Sequence, residues 1–151
     1  GCILSLQSMK EKYCDLQYLY VLICGKILYR RRCILVSCIF CKIISGEIPS
    51  SKVYEDDKVL AFNDINPVAP YHILVIPKKH YESIIDVPEN EMDIIAHIHN
   101  VMNKIARDKG FDKTGFRIIN NCGHDGGQEV KHIHYHVLAG KKLPLYEAME
   151  K

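Results

Sequence analysis

From residue 38 onward, the chain switches between alternating and helical patterns of apolar residues. Lys52–Glu55 and Lys58–Asn63 read as two short strands separated by an Asp56-Asp57 turn. Asn66-Pro67 through Pro70 reads as a rigid loop, and His72–Ile76 as a third strand stopped by Pro77. Across Pro88–Lys109, Ile94, Ile98, Val101, Met102 and Ile105 recur at helical spacing and predict one long helix. Acidic Glu89, Glu91 and Asp93 open it, basic Lys104, Arg107 and Lys109 close it, and Gly110 stops it. Thr114–Asn120 and Lys131–Ala139 read as the last two strands, joined by a glycine-rich loop, Asn121–Gln128. One long helix among strands in meander order predicts an α+β domain with the helix covering an antiparallel sheet.

Residues 1–37 do not share this pattern and read as an extension: an added helix or strand, or a non-native or disordered segment. The apolar stretch Leu16–Tyr29 is interrupted by Lys26 and closed by Arg30-Arg31-Arg32. It is shorter than the ~20 apolar residues that span a bilayer, so no membrane partner is expected. A net charge of +2 makes no case for nucleic acid. The seven cysteines, an odd number without a disulfide framework, fit a reducing, cytoplasmic setting.

The chemistry concentrates in His132-Ile133-His134-Tyr135-His136. On a strand, side chains alternate between faces, so the three imidazoles would share one face about 7 Å apart, with Ile133, Tyr135 and Val137 on the core side. Three histidines can also hold a catalytic zinc. The loop Asn120–Gln128 offers glycine-permitted backbone N–H groups for an anion, or is an ordinary hairpin turn. Asp64, before Ile65-Asn66-Pro67, can bond ribose hydroxyls or simply start a turn. Cys38 and Cys41, with distant His72 and His132, form a possible tetrahedral zinc set, although redox pairs share the Cys-x-x-Cys spacing. His97 and His99 read as solvated or capping residues, and His80 as part of a surface turn.

Taken together, CIFCKIISGEIP (38–49), FNDINP (62–67), HILVIPKKH (72–80), GGQEV (126–130) and HIHYHVLAG (132–140) resemble the histidine-triad nucleotide-binding (HIT) family. The likeness runs from about Cys38 to Leu143, and the Ala139-Gly140 ending is closer to the Hint-type branch than to the dinucleoside-polyphosphate branch. It implies a HIT domain at 38–143 and a tail at 144–151. The implied fold is a five-stranded antiparallel sheet with one long and one short helix, and two copies would form a homodimer with a continuous ten-stranded sheet. The implied activity is that of a purine nucleoside phosphoramidase cleaving AMP- or GMP-linked P–N bonds. A dinucleoside polyphosphate hydrolase and a regulatory nucleotide-binding module are the alternatives.

In that resemblance His134 is the nucleophile, and His136 and Gln128 assist it. Asp64, Ile65, Asn121, Gln128, Glu129 and His136 would bind substrate, with Asp64 on the ribose and Ile65 on the base. Many members carry Ser where this chain has Glu129, so that residue bears on the leaving group. A structural zinc would sit on Cys38, Cys41, His72 and His132.

Overall fold

The computed structural model describes residues 38–145 in full and the backbone of residues 18–23 and 26–31. Those two segments are strands β1 (Tyr18–Ile23) and β2 (Lys26–Arg31), an antiparallel pair with Tyr18 opposite Arg31. The rest of the 1–37 extension, and the tail from residue 146, lie outside the described residues. No helix among the described residues is long and apolar enough to cross a membrane.

The unit beginning at Cys38 contains α1 (Ile39–Ile44), β3 (Lys52–Glu55), β4 (Val59–Asn63), β5 (Tyr71–Pro77), α2 (Asp93–Lys109), β6 (Phe116–Ile119) and β7 (Tyr135–Ala139). Its sheet has the order β3-β4-β5-β7-β6, with every neighbouring pair antiparallel. Strand period sorts the side chains by parity. Odd-numbered Val59, Ala61, Ile73, Val75, Tyr135, Val137 and Ala139 pack with Ile98, Val101, Met102 and Ile105 of α2. Even-numbered Leu60, Phe62, Leu74 and Ile76 pack with Phe40 and Ile43 of α1 on the opposite face. Burying each such aliphatic side chain contributes roughly 2 kcal/mol. His72 and His136 are even-numbered, so the sheet delivers both to the α1 face.

The five-strand sheet and long helix match expectation, but two boundaries differ by more than two residues. The helix proper begins at Asp93, after a 3-10 turn at Glu89–Glu91 whose Glu91 carboxylate accepts from Lys79 Nζ (2.9 Å) and the Tyr81 hydroxyl. Its C-terminus ends as the sequence indicates, on Gly110 at φ 80°, a conformation that favours glycine.

The last strand begins at Tyr135, so of the three triad histidines only His136 lies within it. Pairing with β5 stops at Val75–Tyr135. Beyond it Pro77 has no N–H to extend a ladder, and Ile133 instead donates its N–H to the Tyr81 carbonyl at 2.9 Å. The expected sidedness survives this irregularity: Ile133, Tyr135 and Val137 are in the α2-side core. His132 and His134 both meet the Phe40 ring of α1, at centroid distances of 5.9 and 5.2 Å.

Candidate functional site

The three triad histidines have different partners. His134 is 5% exposed, and its Nδ1 lies 2.8 Å from the His132 carbonyl oxygen. A carbonyl only accepts, so Nδ1 carries the proton and donates it. The neutral ring then has its lone pair on Nε2, which has no hydrogen-bond partner among the described residues. Asn120 Nδ2 donates to the His134 carbonyl at 3.0 Å, fixing this backbone from the end of β6.

His132 is completely buried and uses its other nitrogen. Its Nε2 donates to the Pro77 carbonyl at 2.8 Å, which leaves a bare Nδ1. That Nδ1 lies 3.5 Å from Cys38 Sγ, 3.6 Å from Cys41 Sγ and 3.1 Å from His80 Nδ1. Cys41 Sγ and His80 Nδ1 are 3.3 Å apart. Zinc bonds of about 2.05 Å to nitrogen and about 2.3 Å to sulfur give tetrahedral edges of roughly 3.3 Å for N···N and roughly 3.6 Å for S···N. The observed separations match that tetrahedron. Burial, with the neighbouring His80 and His134, lowers the His132 pKa to about 4, which keeps its lone pair available. The donor set therefore fits a structural zinc.

The fourth member of this cluster is His80 and not His72, which corrects the sequence expectation. The reason is register. Tyr71 stands opposite Ala139 and Val75 opposite Tyr135, so paired numbers sum to 210. That register leaves His72 opposite Leu138, while past the ladder the Ile133 N–H bonds the Tyr81 carbonyl and so brings His80 beside His132. Six residues of chain separate Leu138, beside His72, from His132. His80, part of a surface turn by its sequence position, follows Pro77 by only three residues, the one signal in the chain that it could reach His132.

His72 belongs to another cluster. Its Nε2 is 2.9 Å from His136 Nδ1 and 3.4 Å from Asp64 Oδ2. Val68 donates its backbone N–H to His72 Nδ1 at 3.2 Å. Burial lowers the pKa of His72, and burial together with neighbouring His134 and His72 lowers that of His136 to about 4. The rings of His134 and His136 are 5.1 Å apart, edge to face. The ring nitrogens of His132, His134 and His136 thus face a thiol pair, a carbonyl and another imidazole. No shared metal can hold all three, which removes the catalytic three-histidine zinc.

Asp64 forms the turn with one oxygen and meets the histidine cluster with the other. Oδ1 accepts the Asn66 N–H at 2.8 Å in a turn, while Oδ2 faces His72. Beside it Ile65 and Val68 are 91% and 61% exposed, unusually bare for aliphatic residues flanking a buried histidine cluster.

The glycine loop is braced from within. Gln128 Oε1 accepts the Gly123 N–H at 2.9 Å, and Nε2 donates to the Glu82 and Val130 carbonyls at 2.6 and 3.0 Å. Both amide protons of Gln128, expected on substrate, are spent on backbone here. Gly126 is obligatory for space: a Cβ would stand 2.4 Å from the Cys122 carbonyl oxygen. Asn121 makes no side-chain hydrogen bond among the described residues, and Glu129 is exposed.

Segment 80–82 meets four elements at once. His80 joins the thiols, the Tyr81 carbonyl takes the Ile133 N–H, the Tyr81 hydroxyl donates to Glu91, and the Glu82 carbonyl takes Gln128.

Comparison with known proteins follows this geometry. The HIT domain family model matches residues 45–143. An uncharacterized HIT-like protein of Methanocaldococcus jannaschii is 48% identical over 111 residues, covering 73% of this chain and 80% of that protein. A solved histidine triad protein from Clostridium difficile is 78% identical with a TM-score of 0.73, covering 74% of this chain and 97% of that one. A HIT family hydrolase from Legionella pneumophila Philadelphia 1 is 45% identical with a TM-score of 0.70, over 72% and 97% of the two chains.

Proposed function

The chain belongs to the HIT family, and from that premise we propose that it is a nucleoside phosphoramidase that cleaves AMP- or GMP-linked P–N bonds through a nucleotidyl intermediate on His134. The observation that carries this reading is the His134 tautomer. With Nδ1–H held by the His132 carbonyl, the ring offers a neutral Nε2 lone pair, the form of imidazole that attacks phosphorus near neutral pH. The likeness to a HIT family hydrolase supports hydrolysis as the reaction class.

In the first step His134 Nε2 bonds to the α-phosphorus and the P–N bond breaks, the amine leaving with a proton taken from solvent. Water then attacks the phosphorus, releases the mononucleotide and restores neutral His134, its proton returning to solvent. Charge growing on the phosphoryl oxygens needs donors already in position. His136 and the backbone N–H groups of the 121–128 loop supply them, and Asn121 supports the phosphate. Gln128 maintains the loop, and reaches phosphate only by releasing the Glu82 or Val130 carbonyl. Asp64 Oδ2 takes the ribose hydroxyls, exposed Ile65 covers the base, and Glu129 bears on the leaving amine. Zinc on Cys38, Cys41, His80 and His132 would be structural, cross-linking α1 to the segment that ends in the nucleophile. A homodimer through α2 and β6 fits the position of β6 at the sheet edge, and the cysteine usage fits the cytoplasm.

The decisive assay incubates the protein with an adenosine 5′-phosphoramidate. AMP release and an adenylyl group trapped on His134 are expected, and His134→Ala abolishes both while nucleotide binding persists. Turnover that survives this substitution would refute the nucleophile assignment; wild-type protein that binds AMP without turning over would support the regulatory module.

A further inference from the structure

The second histidine cluster contains one polar group whose role in hydrogen bonding is beyond choice. The Val68 backbone N–H can only donate, and it lies 3.2 Å from His72 Nδ1. His72 Nδ1 is therefore an acceptor, and the neutral ring must carry its proton on Nε2. That nitrogen is 2.9 Å from His136 Nδ1 and 3.4 Å from Asp64 Oδ2, so the shorter bond runs from His72 Nε2–H to His136 Nδ1. His136 Nδ1 is then an acceptor in turn, and the proton of neutral His136 sits on Nε2. The reverse polarity would have His72 accepting at both nitrogens, which requires an imidazolate.

We propose that His72 is a positioning residue: capped at Nδ1 by the Val68 N–H, it fixes the proton of His136 on Nε2 and keeps that ring a hydrogen-bond donor beside the His134 nucleophile. The catalytic consequence rests on the phosphoramidase reading; the tautomer assignment does not. His134 Nε2 is a lone pair, held so by the His132 carbonyl. Were His136 in the other tautomer, the neighbouring rings, 5.1 Å apart, would both expose lone pairs to a phosphoryl group rich in negative charge. Fixed as proposed, one ring attacks and the other donates to the phosphoryl oxygens. The same polarity argues against reading Asp64, His72 and His136 as a metal site, although their ligand atoms lie within 4.8 Å of one another. A metal on His72 Nε2 would have to displace the proton that the Val68 N–H keeps there.

The test reads tautomers directly. In protein labelled with 15N-histidine at pH 7.5, long-range proton–nitrogen NMR should find the proton on Nε2 in His72 and His136 and on Nδ1 in His134. His72→Gln, whose amide keeps an N–H donor, should preserve the His136 tautomer and most of kcat. His72→Glu, offering only acceptors, should move the His136 proton to Nδ1. It should also lower kcat on the phosphoramidate by roughly tenfold or more with a much smaller change in KM. A wild-type His136 protonated at Nδ1, or a tautomer indifferent to His72→Glu, overturns the proposal. If the wild-type tautomers are as stated but no phosphoramidate is turned over, the proposal stands and the assigned activity fails.

Discussion

Two clusters of imidazoles lie on the same side of this sheet and are built on opposite principles. Around His132, the far nitrogen donates to the Pro77 carbonyl, so a bare nitrogen turns inward to join two thiols and His80. Around His72, the far nitrogen accepts the Val68 N–H, so a proton turns inward to His136. Ring spacings are similar, 4.8 Å for His80 and His132 and 5.2 Å for His72 and His136. Proximity therefore does not distinguish a metal cage from a hydrogen-bond relay. The backbone group at the outer nitrogen does, because a neutral imidazole has one proton and one lone pair to distribute.

The contrast is broken most forcefully at the thiols. Cys41→Ser should reduce zinc, measured by elemental analysis, from about one per chain to a small fraction, and destabilise the domain on the order of several kcal/mol in urea unfolding. His72→Leu should leave zinc content unchanged. Equal zinc loss in both variants would erase the distinction between the clusters.

Acid separates the clusters on a smaller scale. The folded pKa of His136 is lowered to about 4 by burial first and neighbouring His134 and His72 second, against an ordinary value of 6.5. The unfolded chain thus binds the proton more readily between those values, and stability falls as pH drops from about 6.5 toward about 4. His136→Gln should flatten that part of the stability–pH curve, read from urea midpoints in protein holding its zinc. An unchanged slope would mean that His136 is already charged in the fold.

The smallest effect calibrates the others. His97, outside both clusters, reads from sequence as solvated or capping; its half-exposed ring reaches Asp56 Oδ2 from α2 at 2.6 Å. Asp56 also accepts the Lys58 and Val59 N–H groups and the Tyr54 hydroxyl, and its pKa is lowered to about 2 by those hydrogen bonds and His97 against the cost of burial. The pair is partly exposed, so His97→Ala should cost only about 0.5–1 kcal/mol in urea unfolding and leave zinc untouched.

Much of this was legible in the chain. Alternation put Ile133, Tyr135 and Val137 in the core, and helical spacing with Gly110 located α2 and its end. What escaped depended on pairing between distant segments. His72 was the expected metal ligand and His80 part of a surface turn, but the β5–β7 register sets His72 opposite Leu138 and the chain after β5 brings His80 to His132. Gln128 looked like a substrate donor because nothing in its neighbourhood reveals that the Glu82 carbonyl lies within 2.6 Å. The partners of the Glu91 carboxylate, Tyr81 and Lys79, likewise lie ten and twelve residues away.

Segment 80–82 has a consequence for how this protein can change. Three consecutive residues anchor the thiol cluster, the triad backbone, the approach to α2 and the glycine loop. Their side chains could be exchanged one at a time, each with a local cost. An inserted or deleted residue would shift all four attachments out of phase together. The stretch from Pro77 to Glu82 behaves as a ruler: its length is the constrained quantity, and libraries that vary it by a single codon should lose folding and chemistry in one step.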